Sequence, residues 1–262
     1  MNTPKILCFN LLLPAIFGVF LLPLNSAIAE TQLPFTVDKI KPSIVAVGTY
    51  MPKRSPRGVF LGTGFVVGNG SFIVTNAHVT PDELDITKLE QLAVFYRENN
   101  QEKSLIVTEV AEDKDHDLSI LKINGDQKLP PLKLGNVGEV REGELYAFTG
   151  YPMGMILGLN PVTHRGIISA ITPNAIPQIR GRNLNTKLLK RLEAPYNVFQ
   201  LDATAYPGNS GSPLYEIETG AVIGVINKVF VQESKEKALT NPSGISYAIP
   251  GDYIEKLLKT LQ

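Results

Sequence analysis

Residues 205–215 read AYPGNSGSPLY, with Ser210 between Asn209 and Gly211 and two residues after Gly208. Pro, Gly, Asn and Ser at this density describe a tight turn, and a turn is all the stretch has to be. A serine in such a turn can also be a nucleophile. Cleaving an amide with serine takes a base for the hydroxyl proton, an acid that orients and charge-balances the base, and donors for the oxyanion. The candidate bases are the three histidines, His78, His116 and His164. His116 and Asp117 are neighbours in DKDHDLSILKI, but adjacent residues of a strand point to opposite faces. His78 ends the run SFIVTNAHV and reaches Asp117 only if two strands meet in space. The order His78, Asp117, Ser210 is one in which such a triad occurs. That pairing leaves His116 as a surface strand residue and His164 as a strand or rim residue.

Positioning three residues so far apart in sequence requires a particular fold. Short apolar runs rich in Val and Ile recur between Gly, Pro, Asn and Asp: 43–48, 64–68, 72–79, 92–97, 105–110 and 118–123. After a polar gap at 124–143 come 144–150, 162–171, 197–204, 212–217, 221–230 and 245–249. Two sets of six strands predict an all-β protein of two antiparallel barrels, about 36–125 and about 142–249. His78 and Asp117 then belong to the first barrel and Ser210 to the second, with the site in the cleft between them. A terminal helix is expected over 250–262, where Ile254, Leu257, Leu258 and Leu261 share one face. A short helix is expected at 35–41. Residues 172–196 interrupt the pattern with Arg180, Arg182, Lys187, Lys190 and Arg191 against Glu193. They read either as a solvated surface loop or as a loop beside the site that touches substrate or a partner.

Residues 1–29 carry Lys5, an apolar run and Ala27-Ile28-Ala29, with no acidic residue, the pattern of an export signal. Cleavage after Ala29 would leave residues 30–262 as the mature domain and place it in the periplasm or outside the cell. An uncleaved membrane anchor is the alternative, although Asn10, Pro14 and Pro23 weaken a spanning helix. After cleavage no stable membrane insertion is expected. The only cysteine, Cys8, leaves with the signal, so no disulfide is expected. Lys+Arg and Asp+Glu number 25 each, which points away from nucleic acid as a partner. No His/Cys/Asp cluster has metal spacing, and no Gly-rich loop leads from a strand into a helix, so neither metal nor cofactor is expected.

The chain resembles the HtrA/DegP-type group of chymotrypsin-fold serine proteases. The resemblance runs through GTGFVVGNGSFIVTNAHV (62–79), DHDLSILKI (115–123), GYPMG (150–154), GIISA (166–170), GNSGSPL (208–214) and GISYAIP (244–250), in order along nearly the whole mature chain. It implies Ser210 as nucleophile, His78 as general base and acid, Asp117 as the holder of the His78 tautomer, and the N–H groups of Gly208 and Ser210 as the oxyanion hole. It also implies an exported endopeptidase working through an acyl-enzyme on unfolded or damaged polypeptides. Thr204 would sit at the base of the specificity pocket, with Ile226 and Val229 narrowing its wall. No charge lies there, so cleavage after small or medium aliphatic residues is expected. The group often trimerises, so a homo-oligomer is compatible with the resemblance. Two departures stand out. Ser212 occupies a position where the group usually has Gly. The chain also ends shortly after Pro250, where its relatives carry PDZ modules, so none is expected. The competing function is a catalytically weak relative that binds extended polypeptide as a chaperone or regulator, pairing it along a strand edge. The complete set of Ser, His and Asp favours the enzyme.

Overall fold

A computed structural model of the chain describes residues 32–152, 154, 158–174, 195–227 and 244–261. The expected export signal, Lys5, Cys8, Val229 and most of the basic segment 172–196 lie outside the described residues.

Each of the twelve apolar runs contains a strand. The first six are β1 (Ile44–Tyr50), β2 (Gly58–Val67), β3 (Phe72–Thr75), β4 (Gln91–Glu98), β5 (Gln101–Asp113) and β6 (Leu118–Ile123). They close into a barrel in the order β1-β2-β3-β6-β5-β4. The second six are β7 (Leu145–Gly150), β8 (Val162–Pro173), β9 (Asn197–Asp202), β10 (Pro213–Glu216), β11 (Val222–Asn227) and β12 (Ile245–Pro250). Their cyclic order, β7-β8-β9-β12-β11-β10, repeats the first barrel's connectivity, and all pairings within both barrels are antiparallel.

The alternation of each strand feeds two different cores. In β1, Val45 and Val47 point into the first barrel with Val66, Ile73 and Leu121. Their neighbours Ile44 and Ala46 join Phe65, Leu118, Val225 and Ile249 in a core shared by both barrels. The interior of the second barrel is built around Phe148, Phe199, Leu214 and Ile226. Strands buried on both faces read as unbroken apolar runs, which is why sequence periodicity located them without saying which face went where.

Two helices tie the barrels crosswise. α1 (Leu33–Ile40) precedes the first barrel yet docks on the second. Thr36 Oγ1 donates to Ile217 O at 2.6 Å, and Ile40 packs in one cluster with Ala147 and Tyr215. α2 (Asp252–Lys259) follows the second barrel and buries Ile254 and Leu257 in the shared core. The 124–143 connection also bridges the barrels. Leu132 N–H donates to Val66 O at 2.8 Å, and Gly135 N–H to Val222 O at 2.8 Å.

Candidate active site

The apolar run expected to reach residue 79 ends as strand at Thr75, and Ala77–Val79 form a single 3-10 turn. That turn carries His78 out of the sheet. Asp117 is not on a strand either. It ends the turn that joins β5 to β6, with φ at +53°. A left-handed φ is unusual for a residue with a side chain, and Asp tolerates it better than most. The backbone is held there by its carbonyl, which accepts from Ala77 N–H at 3.2 Å and from Asn76 Nδ2 at 3.0 Å. Asn76 is wholly buried, so this bond anchors the base of the turn to the barrel interior.

The Asp117 carboxylate grips His78 twice. Oδ1 accepts the His78 backbone N–H at 2.9 Å, and Oδ2 lies 2.7 Å from Nδ1. An ionised carboxylate can only accept, so Nδ1 carries a proton and Nε2 is left as the basic nitrogen. A third donor comes from the second barrel. Asn227 Nδ2, at the end of β11, meets Oδ2 at 2.8 Å. Nothing in the sequence marked Asn227 except a polar residue closing the apolar run VIGVIN.

His116 is corrected from a surface strand residue to a turn residue. It lies in the same β5–β6 turn and binds Asp113, with Nδ1 2.7 Å from Oδ2 and its N–H 3.0 Å from Oδ1. Its ring stacks on Tyr253 of α2 at 3.8 Å between centroids and tilts against Tyr196 at 4.5 Å. His164 is on β8, stacked on Phe148 at 5.0 Å. Its Nε2 is buried without a partner among the described residues, and burial pushes its pKa below the ordinary value.

The Ser210 loop is pinned at nearly every backbone group. Asn209 N–H donates to Tyr206 O at 3.0 Å, Ser212 N–H to Asn209 O at 3.0 Å, and Gly211 N–H to Ile226 O at 2.9 Å. The carbonyls of Gly208 and Ser210 are taken by Thr63 of the first barrel, through Oγ1 at 2.7 Å and N–H at 2.8 Å. From Gly208 to Ser212, the N–H groups without an acceptor among the described residues are those of Gly208 and Ser210. Gly208 has φ at +99° and Gly211 at +87°, the region that glycine alone enters freely. A Cβ on Gly211 would also land 1.9 Å from Thr63 O.

Gly62 brings the halves together. A Cβ there would be 2.7 Å from Val79, the residue after His78, and 3.0 Å from Ser210 O. No hydrogen bond joins Ser210 Oγ to His78 among the described residues; without substrate such contacts are commonly long and tighten on binding. Ser210 is 6% exposed and His78 lies at the surface. Of the expected pocket residues, Thr204 is partly buried between β9 and β10. Ile226 is fully buried within the second-barrel core and can shape a pocket only from behind. Ser212 is fully buried, and its Oγ finds no partner among the described residues. That oxygen lies 2.0 Å from where a Cβ on Gly150 would be, so Ser212 depends on a glycine opposite it. Among the described residues no cluster of His, Cys, Asp and Glu could hold a metal.

Comparison with known proteins identifies a family. A Trypsin-like peptidase domain model matches residues 62–225. The chain is 32% identical over 229 residues to Serine protease HTR4 of Bos taurus, covering 85% of this chain and 40% of that protein. It is 32% identical over 231 residues to Serine protease HTRA3 of Homo sapiens, covering 86% and 44%. It is 27% identical over 209 residues to the Probable periplasmic serine endoprotease DegP-like of Rickettsia prowazekii (strain Madrid E), covering 80% and 35%. The chain spans less than half the length of these relatives.

Proposed function

The chain belongs to the trypsin-like peptidase family, and from that premise we propose that it is a serine endopeptidase with Ser210 as nucleophile, His78 as base and Asp117 as the orienting acid. Ser210 Oγ attacks the scissile carbonyl carbon while its proton passes to His78 Nε2. The negative oxygen that results is met by the Gly208 and Ser210 N–H groups. His78 then returns the proton to the departing amine as the carbon–nitrogen bond breaks. Water, deprotonated by the same nitrogen, releases the acyl group and restores Ser210. Asp117 balances the imidazolium at both stages.

The observation that carries this reading is the backbone accounting of residues 208–212. Every other N–H there is bonded, and the two left without an acceptor among the described residues are those an oxyanion needs. Extended polypeptide is the substrate class, and unfolded or damaged chains present it most readily. The uncharged Thr204 and the apolar Ile226 favour small or medium aliphatic residues before the cleaved bond. The charge and hydropathy pattern of residues 1–29 supports export, as does the similarity to the probable periplasmic endoprotease of Rickettsia prowazekii. No helix among the described residues is long and apolar enough to cross a membrane.

The test is a fluorophosphonate probe on the wild type beside Ser210→Ala, followed by casein digestion. Labelling and digestion by the wild type alone are expected. Labelling that persists in Ser210→Ala removes Ser210 from the nucleophile's role. In a peptide library, a profile dominated by Arg, Lys or Glu before the cut would overturn the aliphatic preference.

A further inference from the structure

Thr63 stands between two glycines in GTG and is fully buried. It belongs to the first barrel, yet most of its polar groups serve the second. Its N–H donates to Ser210 O at 2.8 Å. Its hydroxyl donates to Gly208 O at 2.7 Å and accepts the N–H of Tyr151 at 2.9 Å. Because the Tyr151 N–H occupies an acceptor site, the hydroxyl hydrogen is directed at Gly208. The carbonyl of Thr63 is held in turn by Thr75 Oγ1 at 2.7 Å, two residues before the turn that carries His78.

The strand that presents Thr63 is deformed to do so. β2 pairs Val47 with Gly62 and Gly48 with Phe60, so Leu61 is an extra residue that bulges out, 43% exposed. A bulge bends its strand and re-aims the side chains beside it.

We propose that Thr63 is a positioning residue for the oxyanion-binding backbone, with its hydroxyl fixing the Gly208–Asn209 peptide unit, the link between the two peptide units that carry the Gly208 and Ser210 N–H groups. The proposal rests on the peptidase reading above. Two carbonyls flanking Asn209 are drawn onto one first-barrel residue, and the Gly208 and Ser210 N–H groups, without an acceptor among the described residues, belong to the same short loop. Gly208 has no side chain and sits at a φ that few residues adopt, so its own conformational preference fixes little. The bond from Thr63 Oγ1 is the side-chain contact that restrains it.

The experiment compares wild type, Thr63→Val and Thr63→Ser. Valine keeps the shape and removes the hydroxyl; serine keeps the hydroxyl. For Thr63→Val, kcat is expected to fall about tenfold to a hundredfold, less than the ~10²–10³-fold loss of a whole oxyanion donor. KM should stay within about twofold. Affinity for a peptide boronate, which places an oxyanion in the site, should fall in parallel with kcat. Affinity for the uncleaved peptide, measured in a Ser210→Ala background, should not move. Thr63→Ser should restore both kcat and boronate affinity. If Thr63→Val does not fold, Thr63→Cys keeps the size with a weak donor and should show the same selective loss. A Thr63→Val or Thr63→Cys protein with wild-type kcat and boronate affinity overturns the proposal, as does a loss that Thr63→Ser does not restore. A wild type that takes up no fluorophosphonate overturns the peptidase reading itself, which is a separate result.

Discussion

Two histidine–aspartate pairs in this molecule are almost superimposable in their chemistry. His78 and Asp117 share an Nδ1 to Oδ2 distance of 2.7 Å and a backbone N–H to Oδ1 bond of 2.9 Å. His116 and Asp113 share the same contacts at 2.7 Å and 3.0 Å. The difference is where each pair is assembled. Asp113 and His116 are three residues apart, so their pair is a local turn device. His78 and Asp117 are 39 residues apart and meet only because β3 and β6 are neighbours in a closed barrel. The His116 pair leans its ring on Tyr253, whereas the His78 pair adds Asn227 from the other barrel. A polarised imidazole is thus easy to make. In the proposed function, what makes one of them chemically useful is Ser210 as its nucleophile, with the Gly208 and Ser210 N–H groups as the oxyanion site.

Substitutions matched across the two pairs test this directly. Asp117→Asn is expected to lower kcat about 10⁴-fold, since an amide in place of the carboxylate inverts the tautomer. Asp113→Asn should leave kcat within about twofold. Comparable losses in both would erase the distinction drawn here. A smaller loss is expected for Asn227→Leu, which removes the second-barrel donor to Asp117. About tenfold in kcat/KM, or roughly 1.4 kcal/mol of transition-state stabilisation, would follow, with KM little changed. His116→Ala removes a stacking partner of Tyr253 and should cost about 0.5–1.5 kcal/mol of stability in urea melts, with unaltered turnover.

The third histidine completes the set, because its ring is half-buried and meets no carboxylate among the described residues. The folded-state pKa of His164 lies below its ordinary value of 6.5 because burial disfavours the cation. The unfolded chain therefore binds the extra proton first. Stability is fully present above that range and is lost as pH falls through it. His164→Leu should flatten this slope between about pH 7.5 and about pH 5, read from urea midpoints at the two values. An unchanged slope would mean that the ring is solvated. This is the smallest of the expected effects.

The strands and the two-barrel architecture were legible in the sequence because both depend on local pattern: apolar runs of the right length, punctuated by Gly, Pro and Asn. The candidate residues His78, Asp117 and Ser210 were legible because each sits in a short motif of its own. What escaped was geometry that pattern does not encode. His116 and Asp117 read as strand residues because the run DLSILKI begins beside them, yet they close a turn in which Asp117 adopts a left-handed φ. Asn227 and Thr63 gain their significance only from contacts across the barrels, 110 and 145 residues away in sequence. Neither distance is visible to a window of neighbours. Ser212 stood out in sequence as a departure, and the structure gives its counterpart in Gly150, whose missing Cβ makes room for the hydroxyl.

The crosswise helices bear on how the protein comes into being. α1 lies ahead of the first barrel, but its Thr36 bonds to Ile217, 181 residues later. As the chain leaves the ribosome, the first barrel with His78 and Asp117 emerges long before the surface on which α1 must rest. Contacts of this sequence separation form slowly, since a large loop must close before they return any energy. A nascent chain therefore holds His78 and Asp117 for some time without Ser210, the nucleophile of the proposed function. Under the proposed function, activity would wait for the second barrel, which supplies Ser210, to fold.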